Sequence, residues 1–222
     1  MLTVTTITDR DTWNDHLRAL PYAHVLQSWE WGEFKHVTTG WTPERLAFKR
    51  ADGAIVAMAS VGVRSIGPLR VMYVSKGPAL DYADSALTAQ VLDALQDFAR
   101  RRAIWLKIDP DVIAATGVPG EPDDVPDPRG QALTDALKAR GWRFSADQVQ
   151  FRNTIALDLT RSEDDLLAAM SQNTRRKVRT AEKKGVQVRA AAEADLPVLY
   201  DLYRVTGARD AFLIRPPDYY ER

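Results

Sequence analysis

Cysteine is absent from the 222 residues, which excludes disulfides, thiolate metal sites and a cysteine nucleophile. Histidine is scarce. His16, His24 and His36 stand at irregular spacing, with no second His or Glu at i+4, so no metal site is expected. There is no excess of either charge: thirty Lys and Arg balance thirty Asp and Glu. A chain built mainly to coat nucleic acid would carry a basic surplus. No run approaches the ~18 consecutive apolar residues of a membrane span. The segment Met1 to Arg10 has neither the basic start nor the apolar stretch of a signal peptide. No GxSxG elbow and no Walker loop occur. What remains is an ordinary globular balance, 45% hydrophobic and 27% charged, and the expectation of a soluble cytoplasmic protein.

Hydrophobic periodicity divides the chain into elements. Leu2 to Thr8 reads as a strand, and Asp11 to Leu20 as a helix with Trp13, Leu17 and Leu20 on one face. Gln27 to Val37 reads as a second helix. Arg45 to Arg50 and Ala54 to Val63 are strands joined through Asp52-Gly53, a strong hairpin signal. Leu69 to Val74 is a third strand in that series, Ser85 to Arg102 a helix, and Ile104 to Ile108 a strand. Gly117 to Gly130, rich in proline and acid, reads as an exposed loop before a helix over Gln131 to Arg140.

From Asn153 the order begins again. A strand over Asn153 to Leu159 precedes a helical stretch from Ser162 to Lys184, broken near Asn173. A strand over Val186 to Ala190 and a helix over Ala194 to Arg204 follow. The fold expected is α/β: a mixed sheet flanked by helices, in the element order of the N-acetyltransferase-like (GNAT) fold. Residues 1–150 read as one complete domain and 151–222 as the first part of a second copy, within which the chain stops.

Coenzyme A enzymes of that fold hold the pyrophosphate in a Gln/Arg-x-x-Gly-x-Gly/Ala turn after the third antiparallel strand. Here the turn reads Ser75-Lys76-Gly77-Pro78-Ala79-Leu80-Asp81-Tyr82, and the pattern is missing. The nearest match, starting at Arg64, lies too early. Pro78 also removes an N–H where donors are needed. No cofactor is therefore expected. A dense positive run, Arg175, Arg176, Lys177, Arg179, Lys183 and Lys184, holds Glu182 as its only acid. Positions 175, 179 and 183 share a helix face. The run reads either as a solvated face complementing the helix dipole or as a platform for a polyanion such as the acceptor end of a tRNA.

Four segments, taken in order, resemble the FemABX family, the bacterial peptidyltransferases of peptidoglycan bridge formation. They are Gln27-Ser-Trp29-Glu-Trp31-Gly32-Glu-Phe34-Lys35; Tyr73-Val-Ser75-Lys76-Gly77-Pro78 with Lys107-Ile-Asp109-Pro110; Asn153 to Thr160 with Asn173 to Val186; and Ile214-Arg215-Pro216-Pro217-Asp-Tyr219-Tyr220. The resemblance implies tandem GNAT-like domains and no coenzyme A. It also implies transfer of an amino acid from aminoacyl-tRNA to the stem peptide of a UDP-linked or lipid-linked muropeptide. No transmembrane segment is implied, and at most a peripheral membrane contact.

The resemblance also implies roles. Lys35 and Arg215 match the two cations that hold the precursor's diphosphate in the family, and Tyr219 matches a tyrosine beside them. Asp109, at a strand end, either orients the attacking amine or assists proton transfer, or else shapes the turn before Pro110. Ser75 and Lys76 line the acceptor groove or shape their own turn. Trp29 and Trp31 read as packing residues. Arg175, Arg176, Arg179 and Lys183 are the candidates for tRNA. Two rival readings stand beside this one: a GNAT-like acyltransferase with another acyl donor, and a non-catalytic module that binds a polyanion.

Overall fold

Alternating threonines make Thr3–Thr6 an edge strand, β1, in the computed structural model, which describes residues 2–222. The first helix, α1 (Arg10–Ala19), starts one residue before the sequence signal because the Asp9 carboxylate, not that of Asp11, accepts from the Thr12 N–H. A short 3-10 turn, Val25–Gln27, leads to α2 (Trp29–Thr39), which Ser28 caps. Then come β2 (Thr42–Lys49) and β3 (Ile55–Ile66), joined by the expected turn. Gly53 adopts a φ of +87° there, and the Asp52 carboxylate accepts from the Ala54 N–H. The series continues through β4 (Leu69–Val74), β5 (Ala79–Leu80), α3 (Ser85–Arg100) and β6 (Trp105–Ile108).

The expected loop from 117 to 130 is not wholly irregular. β7 (Ala115–Thr116) and β8 (Val125–Pro126) pair across it. α4 (Pro128–Ala139) begins earlier than its apolar pattern, because Asp127 caps it and Pro128 fits the first turn.

The chain divides into two compact units, residues 1–150 and 151–222. In the first, the main sheet has six strands in the order β1-β2-β3-β4-β6, with β5 beside β3. All neighbours are antiparallel except β4 and β6, which run parallel with α3 as the crossover between them. This mixed sheet between helices is the GNAT-like fold expected from the sequence.

Strand alternation sends Leu46, Phe48, Ala57, Ala59, Val61, Met72 and Val74 to one face, under Leu87, Val91 and Leu95 of α3 and Leu133 of α4. Ala47, Met58 and Ala79 face the other way, onto Trp13 and Leu17 of α1. Each fully buried Val, Leu or Met in these two layers contributes ~1.5–3 kcal/mol.

The second unit contains α5 (Glu163–Ala169), α6 (Gln172–Lys183), α7 (Leu196–Asp210) and α8 (Asp218–Glu221). The helical stretch breaks at Met170-Ser171 rather than at Asn173, because Ser171 caps α6. The strands expected over 153–159 and 186–190 do not form. A strand exists only by pairing, and the described residues of this unit hold no partner edge. Ile155 and Val188, within those two stretches, are 90% and 96% exposed.

Candidate active site

The parallel pair β4 and β6 places the ends of two strands side by side. Val74 pairs with Ile108, so Ser75-Lys76 and Asp109 leave the sheet together at its carboxyl end. In open α/β sheets this is where ligands bind. The Asp109 N–H continues the ladder for one more step, onto the Val74 carbonyl at 3.2 Å.

Four polar side chains converge at this edge. The Tyr73 hydroxyl donates to Asp109 Oδ2 at 3.1 Å, and Gln150 Nε2 donates to Ser75 Oγ at 3.3 Å. Burial pushes the Tyr73 phenol up to about 12, and the neighbouring Asp109 charge adds to the rise against hydrogen bonds from Ser75 and Gln150. At neutral pH Tyr73 is therefore a proton donor in a hydrogen bond and not a base. Lys76, at a φ of +50°, reaches Asp111 at 2.7 Å. Lys107 donates to Ser145 Oγ at 3.1 Å and to the Asp147 carbonyl.

The turn carrying Ser75 and Lys76 is held from beneath by Gln27, which no local sequence pattern places at the site. Its side chain is fully buried. Nε2 donates to the Ser75 carbonyl at 2.6 Å, and Oε1 accepts from the Ser60 N–H at 2.7 Å. Its own carbonyl accepts from Trp13 Nε1 at 2.9 Å. The amide lies so close to the turn that a Cβ on Gly77 would meet Gln27 Cδ at 2.7 Å, hence the glycine. The only signal for this in the sequence is a polar residue just ahead of a Trp-rich helix.

Lys35 lies on α2, with Nζ 5.7 Å from the centre of the Trp31 ring. That helix is fastened to β2 by Arg45. The buried guanidinium bonds Glu33 at 2.7 Å and the Trp29 carbonyl at 3.2 Å, and lies 3.4 Å from the centre of the Trp29 ring. Trp29 is thus a packing residue, as expected, and Trp31 packs on Phe34.

The remaining candidates belong to the second unit. The Arg215 guanidinium lies 5.7 Å from the centre of the Tyr219 ring, and the Arg215 N–H donates to the Tyr220 hydroxyl at 3.3 Å. Tyr220 sits against Tyr200, Tyr203 and Tyr219, which seats the Arg215 segment on α7. Along α6, Arg176, Arg179 and Lys183 line a shallow groove with Arg175. Arg175 differs from the other three. Its Nη1 donates to the Ala168 carbonyl at 2.8 Å and to that of Met170, closing the end of α5. Among the described residues, no group of His, Asp or Glu is arranged to hold a metal.

The sequence profile of the FemAB family matches residues 8–222. The chain belongs to the FemAB family. Lipid II:glycine glycyltransferase of Staphylococcus aureus strain MRSA252 is 30% identical over 210 residues, covering 92% of this chain and 48% of the relative. The same-named protein of strain USA300 matches to the same extent. The crystal structure of FemX superposes with a TM-score of 0.77 at 29% identity, covering 99% of this chain and 53% of FemX. The chain therefore spans about half the length of the relatives it matches. Within the family fold, the four segments singled out in the sequence fall on the 3-10 turn and α2, on the β4 and β6 ends, on the irregular stretch before α5 together with α6, and on the approach to α8 and its first residues.

Proposed function

We propose that this chain belongs to an aminoacyltransferase that moves an amino acid from aminoacyl-tRNA to the stem peptide of a peptidoglycan precursor. The observation that carries the reading is the family match across residues 8–222, together with relatives named as lipid II:glycine glycyltransferases. On this reading the chain acts in the cytoplasm in cell-wall synthesis, and a lipid-linked acceptor brings it to the membrane surface. No helix of the described residues is long and apolar enough to cross a membrane. Residues 151–222 are, on the same reading, the opening elements of a second GNAT-like domain.

The chemistry asks little of the protein beyond placement. A neutral amine of the stem peptide attacks the ester carbonyl, a C–N bond forms, and the C–O bond to the tRNA ribose breaks. One proton leaves the amine and one reaches the ribose oxygen. Asp109 is the group that takes the amine's proton, and positioning supplies most of the acceleration. Lys35 and Arg215 hold the diphosphate of the acceptor, with Tyr219 beside Arg215. Ser75 and Lys76 line the acceptor groove. Arg176, Arg179 and Lys183, with Arg175 anchoring the groove, receive the tRNA.

The α3 N-terminus supports a reading without coenzyme A. Asp84 caps it, accepting from the Leu87 N–H at 2.8 Å, so a carboxylate of the chain itself already meets an N–H that an anion could otherwise take.

Calorimetric titration with UDP-MurNAc-pentapeptide tests the acceptor site. Lys35→Ala and Arg215→Ala are each expected to weaken binding by ~1.5 kcal/mol or more, the scale of a lost charge-assisted hydrogen bond. Binding that neither substitution changes would remove the diphosphate assignment. Tight coenzyme A binding would favour the rival acyltransferase.

A further inference from the structure

We infer that Tyr73 is a positioning residue that aims the Asp109 carboxylate at the acceptor amine. The inference rests on the acyl-transfer reading above. Asp109 lies one residue beyond the β4–β6 ladder, just before Pro110, and its backbone is tied to β4 by the N–H bond to Val74. Its side chain has two rotatable bonds that the ladder does not fix. The Tyr73 hydroxyl fixes them by engaging Oδ2 at 3.1 Å. Oδ1 is then the oxygen left to accept from an incoming amine.

Tyr73 can do this because it is itself held. It pairs with Gly62 across the β3–β4 ladder. Gly62 leaves room for Trp41: a Cβ there would come within 3.2 Å of Trp41 Cε3. The Trp41 ring meets Tyr73 edge-on at 6.4 Å between centres. Gln150 and Ser75, bonded to each other at 3.3 Å, stand beside the phenol and offset part of the rise in its pKa. The ring is thus clamped by β3, by Trp41 and by the turn that Gln27 pins. A carboxylate aimed by so rigid a donor keeps one orientation before the substrate arrives.

Two measurements test this, one of them independent of turnover. In protein labelled with 13C at tyrosine Cζ, Tyr73→Phe assigns the Tyr73 signal. Asp109→Asn is expected to lower the pH at which that signal titrates, because a negative neighbour and its hydrogen bond are removed. The second measurement follows single-turnover transfer from glycyl-tRNA to the soluble UDP-linked muropeptide, with acceptor affinity read by calorimetry. Tyr73→Phe keeps the ring and its contact with Trp41. It is expected to leave acceptor affinity within about two-fold and to slow transfer roughly ten-fold, the effect of a misaimed group. Tyr73→Phe combined with Asp109→Asn should be no slower than Asp109→Asn alone. A Tyr73 signal that ignores Asp109→Asn, or a Tyr73→Phe variant that transfers at the wild-type rate, overturns the positioning role alone. A wild-type chain that neither binds the acceptor nor transfers overturns the reading beneath it, and the proposal with it.

Discussion

Gln27 shows how much one side chain can organise. It joins three parts of the fold: the Ser60 N–H on β3, the Ser75 carbonyl after β4 and, through its own carbonyl, the Trp13 indole on α1. A leucine of similar size would fill the space and leave two buried backbone groups without partners, at ~1–3 kcal/mol each. Gln27→Leu is therefore expected to lower unfolding free energy by ~2–4 kcal/mol in urea titration, summing the two orphaned groups with partial relaxation. A loss below about 0.5 kcal/mol, the range of an ordinary surface change, would show that the turn is not held this way. The sequence marks Ser75, Lys76 and Asp109 because they sit at strand ends. It puts Gln27 at the head of the first family segment but does not reveal its partners, which lie 33 and 48 residues away.

Helix starts are where local chemistry is most legible. Ser162 as the cap of its helix follows from the spacing to Asp165, and its hydroxyl does accept from the Asp165 N–H at 3.2 Å. The start of α4 is less visible, because the apolar pattern begins at Ala132 while the cap is Asp127. The Asp127 carboxyl is lowered to about 2, chiefly by hydrogen bonds from Arg129. The sign follows from linkage. A carboxylate depressed below its ordinary value of 3.8 stabilises the helix start fully above that pH and loses its effect as pH falls toward about 2. Amide exchange or NMR shifts of Arg129 and Gly130 are expected to stay native-like through pH 4 and to change only between about 3.8 and 2. A transition centred near 4 would mean that Arg129 does not hold the cap.

At the scale of the molecule, the two buried clusters lie entirely within residues 1–150. In 151–222 the one buried residue is Gly207, where a Cβ would press on Ile214 and Phe212. Cooperative unfolding should therefore belong to the first unit. A chain of residues 1–150 is expected to keep a single thermal transition, and Leu95→Ala, from the fully buried face of α3, to cost ~2–5 kcal/mol in it. Loss of that transition on removing 151–222 would show that the core described here is not self-sufficient.

Composition, the Asp52-Gly53 hairpin, the helical periodicities and the four family segments are properties of neighbouring residues, readable along the chain without its fold. So is the mixed α/β class, since strand and helix order follows from period alone. Which strands are real depends on pairing in the folded chain. Residues 153–159 alternate as a strand does and yet form none, because pairing needs a second edge that periodicity cannot see. The tertiary structure alone also joined Tyr73 to Asp109 and Gln27 to the Ser75 turn. Those contacts depend on the parallel register of β4 and β6 and on the depth of the core, quantities set by long-range packing rather than by any local pattern.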